Sequence, residues 1–130
     1  MPHHRRYITS EFAQARGYSP AVITQGGTTV WLSGRTALAD SNGKSLIGNF
    51  DGQVREIFAQ LGKTLEEAGG SLANIVTTTV FITDVRYVDR LIELRREIFG
   101  DDFPTSALIT VTGLARPGML VEVQGTAVIG

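Results

Sequence analysis

The stretch LVEVQGTAVI, from Leu120 to Ile129, decides the fold because it is a strand with two unlike faces. Side chains alternate between the faces of a strand. One face is apolar and suits a layer of helices: Val121, Val123, Ala127 and Ile129. The other face is mixed: Leu120, Glu122, Gln124, Thr126 and Val128. A glutamate in such a strand faces solvent, a partner subunit or a substrate, and the strand alone leaves all three open.

Four further segments are predicted to be strands because they are rich in Val, Ile and Thr, whose branched side chains suit a pleated sheet. They are Ala21 to Thr24, Thr28 to Thr36, Asn74 to Asp84 and Ser106 to Leu114. The glycine turn TQGGTT, Thr24 to Thr29, predicts a hairpin between the first two strands. The loop Ala115 to Met119, which contains Pro117 and Gly118, predicts a second hairpin between the last two.

Apolar residues that recur at three- and four-residue steps predict two amphipathic helices. The first stripe ends at Gly69 and Gly70, with Asn49 or Asp51 as its cap, and comprises Phe50, Val54, Ile57, Phe58, Leu61, Leu65 and Ala68. The second begins near Asp84 or Asp89, ends at Gly100, and comprises Val88, Leu91, Leu94, Arg95, Ile98 and Phe99. A charged, solvated face is expected on the other side of the second helix: Arg90, Glu93, Arg96 and Glu97.

The order β-β-α-β-α-β-β predicts one two-layer α+β domain over residues 1–130. Its first part, residues 1–16, is a polar N-terminal segment. Both helices would cover the same face of one sheet. The uncovered face is expected to carry mixed rows, Thr78, Val80 and Ile82 in one strand and Leu108, Thr110 and Thr112 in another. A surface of this kind predicts packing against other copies of the chain, which would create clefts where Glu122 is partly buried. An ion pair between Glu122 and an arginine at that interface is the alternative.

Composition excludes several classes of function. With 12 Lys and Arg against 13 Asp and Glu, the chain has no broad positive field for nucleic acid. It has no cysteine, hence no disulfide and no thiolate nucleophile. The two histidines, His3 and His4, are adjacent in a polar tail and provide neither a metal site nor a Ser–His pair. No apolar run approaches the roughly 18 residues of a membrane span, so we expect a cytoplasmic protein without membrane contact, metal or cofactor.

Five segments together resemble the reactive intermediate deaminase superfamily, the Rid or YjgF group, whose members are also called L-PSP endoribonucleases. They are GYSPAV at Gly17 to Val22, WLSGRTAL at Trp31 to Leu38, LEEAGGSLANIVTTTVFITD at Leu65 to Asp84, FPTSALITV at Phe103 to Val111 and LVEVQGTAV at Leu120 to Val128. The resemblance implies a chorismate-mutase-like fold and a homotrimer whose sheets line a central barrel. It also implies three clefts, one between each pair of neighbouring subunits.

The chemistry implied by the resemblance is hydrolysis of reactive enamines and imines to a 2-oxo acid and ammonia. In that family an arginine holds the substrate carboxylate and a glutamate orients water. Glu122 falls on that glutamate and Tyr18 on a tyrosine that closes the cleft. The chain departs from the family pattern at three positions: Ser106 replaces the arginine, Ile92 replaces an asparagine, and Arg35 replaces a glutamine.

The first departure matters most, because a serine cannot supply a guanidinium and the loss of such a pair costs on the order of 2 to 5 kcal/mol of binding. Arg35, expected at a strand end facing the cleft, and Arg116, in the last loop near Glu122, are the candidates to replace it. Ser106 would donate a hydrogen bond. Three of the candidate residues also have a purely structural alternative. Arg35 would form an ion pair, Arg116 would lie on a solvated turn, and Tyr18 would only pack against its neighbours.

Two functions of different class follow from these residues. The first is a hydrolytic deaminase in which Glu122 activates water, Tyr18 shapes the cleft and Arg35 anchors an anion. The second is a protein that binds a small carboxylate in the same cleft without turning it over. An RNA-directed role has less support, because the chain shows no cationic groove with stacking aromatic residues.

Overall fold

A computed structural model describes residues 4–130, so His3 of the histidine pair lies outside the described range. Its strands and helices are β1 (His4–Ile8), α1 (Glu11–Ala15), β2 (Ala21–Gln25), β3 (Thr28–Arg35), α2 (Phe50–Glu67), β4 (Ile75–Ile82), α3 (Val88–Phe99), β5 (Thr105–Thr110) and β6 (Val121–Ile129). The predicted helices and the five predicted strands are present. Sequence reasoning missed β1 and α1, which form within the polar segment at 1–16.

The strands form two sheets. The larger has the order β3-β6-β4-β5, with β6 antiparallel to both neighbours and β4 parallel to β5. The smaller pairs β1 with β2. Both predicted hairpins are therefore wrong. The glycines at 26 and 27, both with positive φ, carry the chain from one sheet into the other, and β4 lies between β5 and β6. Turn residues predict that the chain changes direction, but they do not predict which strands pair with each other.

The helices α2 and α3 cover one face of the larger sheet, as the stripes predicted. Asn49 caps α2 by accepting a hydrogen bond from the Gly52 N–H, and Gly100 ends α3 with φ 68°. The core between the layers is closed by residues that are almost fully buried: Val54, Ile57, Leu61, Leu65, Val80, Ile82, Leu91, Leu94, Val121 and Val123. Among residues 4–130, no helix has both the length and the apolar character needed to cross a bilayer.

The helix-free face differs from the one expected. Val80 pairs with Val123 and Ile82 with Val121, so these side chains of β4 point into the core together with Thr78. Leu108 in β5 and Leu120 before β6 also pack against the core. The rows assigned to the uncovered face were therefore out by one residue in β4 and β5. The residues that share that face are Trp31, Thr77, Thr79, Phe81, Ala107, Ile109, Glu122, Gln124 and Thr126.

The charged side of α3 makes contacts as well as facing solvent. Arg90 donates to Asp51 on α2 at 2.6 Å, and Arg55 on α2 donates to Glu97 at 2.9 Å. The hydrogen bond from Arg90 lowers the pKa of Asp51. Because these pairs are partly exposed, water screens them and each contributes little to stability.

One buried polar side chain, Gln53 on α2, fixes where β6 begins. Its Nε2 donates to the carbonyl oxygens of Leu46 and Gly118, and its Oε1 accepts from the Leu120 N–H, each at 2.9 Å. The side chain thereby ties the loop before α2 and the loop before β6 to one point. Glu122 follows two residues after Leu120, so this clamp also sets the position of that carboxylate.

We expect Gln53→Leu to lower the free energy of unfolding by about 2 kcal/mol or more. It removes the partner of the Gly118 carbonyl oxygen and of the Leu120 N–H, and each such group costs about 1 to 3 kcal/mol. The Leu46 carbonyl oxygen still accepts from the Asn49 N–H at 3.0 Å. Urea unfolding followed by circular dichroism measures the change. Gln60→Leu is the control on the same helix, because Gln60 bonds only to the side chains of Arg35 and Glu56. Equal stability of the two variants would contradict the clamp.

Candidate functional site

The loop after α1 is fastened to the start of β5 through Ser19. The Ser19 N–H donates to the Pro104 carbonyl oxygen at 3.1 Å, and its buried hydroxyl donates to the Phe103 carbonyl oxygen at 2.6 Å. These bonds hold the preceding residue, Tyr18, next to the first residues of β5. Tyr18 and Ser106 consequently lie on one wall of the same cavity.

That cavity has a volume of about 340 Å³ and lies between the loop after α1, helix α3 and strand β5. Besides Tyr18 and Ser106, its polar lining residues are Arg16, Asp89 and Arg95. Its apolar walls are Val88, Ile92 and Leu108. The cavity therefore combines apolar walls with a few polar groups, which is typical of a small-molecule site.

Arg95 is the most unusual group in this cavity. The side chain comes from the buried face of α3 and is only 6% exposed, and its Nη2 donates to the Ser106 hydroxyl at 2.9 Å. Within residues 4–130 this is the only hydrogen bond of the guanidinium, and no carboxylate pairs with it. Burial lowers its pKa to about 10. The positive charge is thus withdrawn from water without a counter-ion.

Gly17 provides the space that Arg95 occupies. Its φ of +74° suits glycine, and a Cβ there would lie 3.4 Å from the Arg95 Cβ. The aliphatic stem of the arginine therefore runs along the loop backbone. Sequence reasoning counted Arg95 as one member of an apolar stripe and missed its place in the site. The available signal was a charged residue on an otherwise buried helix face.

Glu122 lies in the middle of β6, half-buried, on the helix-free face. Its carboxylate rests against Gly34 in β3, where a Cβ would lie 2.5 Å from Oε2. Within the described residues, no arginine or lysine forms an ion pair with it. The chain therefore presents an unpaired carboxylate above a glycine.

Glu122 and the cavity are separate within one chain. Ser106 pairs with Thr78 on the helix side of the sheet, whereas Glu122 pairs with Phe81 on the opposite side. Strand β4 lies between them, so their backbones are about 10 Å apart across the sheet and about 10 Å along it. A single copy does not bring Glu122 together with Tyr18 and Ser106.

Neither of the two arginines expected in the site lines this cavity within one chain. Arg35 pairs with Val123, faces the helices, and donates to Gln60 and Thr64 on α2 at 3.3 and 3.5 Å. The side chain points toward α2 because an irregularity in β3 between Leu32 and Arg35 changes the alternation. A role for Arg35 in a cleft between subunits stays a prediction. Arg116 is exposed in the loop before β6 and does not line the cavity.

Comparison with known proteins was consistent across sequence and structure. The model of the endoribonuclease L-PSP family matches residues 8–129. A human protein named 2-iminobutanoate/2-iminopropanoate deaminase is 28% identical over 130 residues, which span 97% of this chain and 91% of that protein. The mouse protein of the same name is 32% identical over 113 residues, 87% and 82% of the two chains.

Among solved structures, YyfB from Yersinia pestis is described as a protein of unknown function of the conserved Rid protein family. It superposes with a TM-score of 0.83 at 25% identity, over 96% of this chain and 98% of its own. The family match over residues 8–129 and this agreement in fold lead to one conclusion: the chain belongs to the endoribonuclease L-PSP family, within the Rid/YjgF superfamily.

Proposed function

We propose that the protein is a hydrolytic deaminase of a small reactive imine or enamine, acting in clefts between the subunits of a homotrimer. The observation that carries the proposal is the unpaired Glu122 carboxylate held over Gly34 on the helix-free face. A carboxylate kept free of ion pairs is available to bind and polarise a water molecule. The human and mouse relatives, both named as imine deaminases, support the same chemistry.

In the proposed reaction water adds across the C=N bond of the substrate. The water oxygen bonds to carbon as Glu122 accepts a proton and passes it to nitrogen, which gives a carbinolamine. The hydroxyl proton of the carbinolamine then moves to nitrogen, the C–N bond breaks, ammonia leaves, and the carbon keeps the oxygen as a carbonyl. Neither a metal nor a redox step is needed for this balance.

Subunit packing would unite the two parts of the site. Trp31 is 80% exposed on the helix-free face, beside Thr77, Thr79 and Gln124. Tryptophan is enriched at protein–protein interfaces, because it combines a large apolar ring with a polar N–H. Packing of this face against neighbouring copies would bring Glu122 of one subunit to the cavity of the next.

We expect the protein to sediment with a mass three times the 14.0 kDa of one chain. Trp31→Asp should shift it to monomer, because a charge replaces the largest apolar group on the face, and deaminase activity should be lost with the trimer. Sedimentation equilibrium at micromolar concentration measures this. Ile47→Asp, at an exposed apolar residue in the loop before α2 and outside the cavity lining, is the control and should stay trimeric. A monomeric wild type would refute the shared cleft.

Glu122→Gln should lower kcat for 2-iminobutanoate generated in situ by about 100-fold, since a neutral amide cannot accept the water proton. KM should change little. The assay compares the disappearance of the imine with its spontaneous hydrolysis. If wild type and variant both match the spontaneous rate on a panel of imines and enamines, the protein is a small-carboxylate binder instead. If the wild type hydrolyses a compound of the panel faster than the spontaneous rate and Glu122→Gln does not, the assignment of Glu122 stands.

Gly34→Ala should also lower kcat, by about tenfold or more, because its Cβ displaces the Glu122 carboxylate and misplaced groups lose catalysis steeply. The position does not have a positive φ, so alanine fits the backbone. Gly113→Ala is the matched control, since a Cβ there meets nothing within 4 Å and its φ is also not positive. Equal activity of the two variants would show that the contact with Gly34 does not position Glu122.

A further inference from the structure

The Arg95 guanidinium has capacity for a ligand that no residue of the described chain uses. An arginine carries five N–H groups, and here one donor atom, Nη2, is bonded to Ser106. The group is nine-tenths buried and lines an open cavity. A buried charge without a partner is costly unless something supplies the opposite charge.

We propose that Arg95 is the anchor for the carboxylate of a small anionic ligand in this cavity, with Ser106 orienting the guanidinium. The planar fork binds the two carboxylate oxygens, and the hydroxyl of Ser106 prevents it from rotating away. This role deepens the proposed function, and only the reaction of the bound ligand rests on that function. Binding of the carboxylate does not require turnover.

The charges around the cavity define the class of ligand. Arg16 stacks on Phe12 at 3.6 Å and donates to the Phe12 carbonyl oxygen, so it is already engaged at the rim. Asp89, an exposed carboxylate in the lining, repels a second negative charge. With Arg16, Arg95 and Asp89 the lining carries a net charge of +1, which a monoanion balances and a phosphate dianion exceeds.

The size and the walls of the cavity define the rest of the ligand. The volume of about 340 Å³ is near the lower end for ligand sites. Val88, Ile92 and Leu108 offer contacts to a few aliphatic carbons. The site therefore fits a 2-oxo or 2-imino monocarboxylate with a short apolar side chain.

A purely structural role for Arg95 predicts different behaviour. Its stem packs on Gly17 and its Nη2 bonds to Ser106, so removal of the side chain would then destabilise the fold. A ligand anchor behaves in the opposite way, because replacing an unpaired buried charge by an apolar chain of similar length relieves a cost. Stability and ligand binding together separate the two roles.

The test is calorimetric titration of the full-length protein with 2-oxobutanoate, a stable analogue of the proposed substrate. Arg95→Met should weaken binding by about thirtyfold or more, while its melting temperature stays equal to that of wild type or rises. Binding of the neutral 2-oxobutanamide should be the same for both. Arg55→Met, which removes one surface cation far from the cavity lining, is the control and should bind 2-oxobutanoate as wild type does.

The double variant Arg95→Met with Ser106→Arg supplies a guanidinium from β5 instead of α3 and should recover most of the lost affinity. The proposal is overturned if Arg95→Met binds 2-oxobutanoate within twofold of wild type, or if inorganic phosphate binds wild type as tightly as 2-oxobutanoate does. Unchanged KM for the imine in Arg95→Met would also overturn it and would leave the deaminase intact. Binding that depends on Arg95 in a protein without turnover would support the anchor and remove the deaminase.

Discussion

The position of β6 between β3 and β4 is the constraint on which the rest of the structure depends. Val121 and Val123 are fully buried beneath the two helices, and the alternation of a strand then forces Glu122 to the opposite face. No rotamer change can bring that side chain into the core. The burial of two valines therefore determines where the carboxylate lies, and Gln53 fixes the start of the same strand.

The same constraint places the candidate site residues on two faces of one sheet. Arg95 and Ser106 belong to the helix side, and Glu122 belongs to the helix-free side. A sheet is too rigid to close such a gap by bending, so the two parts meet only if a second copy provides one of them. Oligomerisation would then be required to complete the site. It would also bury Trp31, which is exposed in a single chain.

The sequence allowed prediction of every element whose pattern has a clear period. The stripes on α2 and α3 are confirmed, and so are the inward valines and the outward Glu122, Gln124 and Thr126 of β6. Leu120 and Val128, expected on the outer face of β6, were misassigned, because Leu120 packs against the core and Val128 is buried. The rows in β4 and β5 were also misplaced. These two strands are parallel neighbours beneath helices, and IVTTTVFI in β4 has no strict alternation that marks its buried face.

Other errors came from information that lies outside any local pattern. The irregularity before Arg35 turned its side chain toward α2, and a single extra residue in a strand has no reliable signature in one sequence. The glycines between β2 and β3 predicted a turn correctly but could not identify β1 as the partner strand. Pairing depends on contacts between distant segments, and β1 itself was hidden in a polar stretch.

Arg95 shows why a site is better sought in space than by position in a motif. At position 106 the chain has a serine, and a comparison residue by residue scores the absence of a guanidinium there as a loss. The folded chain places the Arg95 guanidinium, which comes from α3, 2.9 Å from that serine hydroxyl. Since electrostatic attraction depends on where a charge lies and not on which element carries it, the same cavity can keep a positive charge after the strand has lost it.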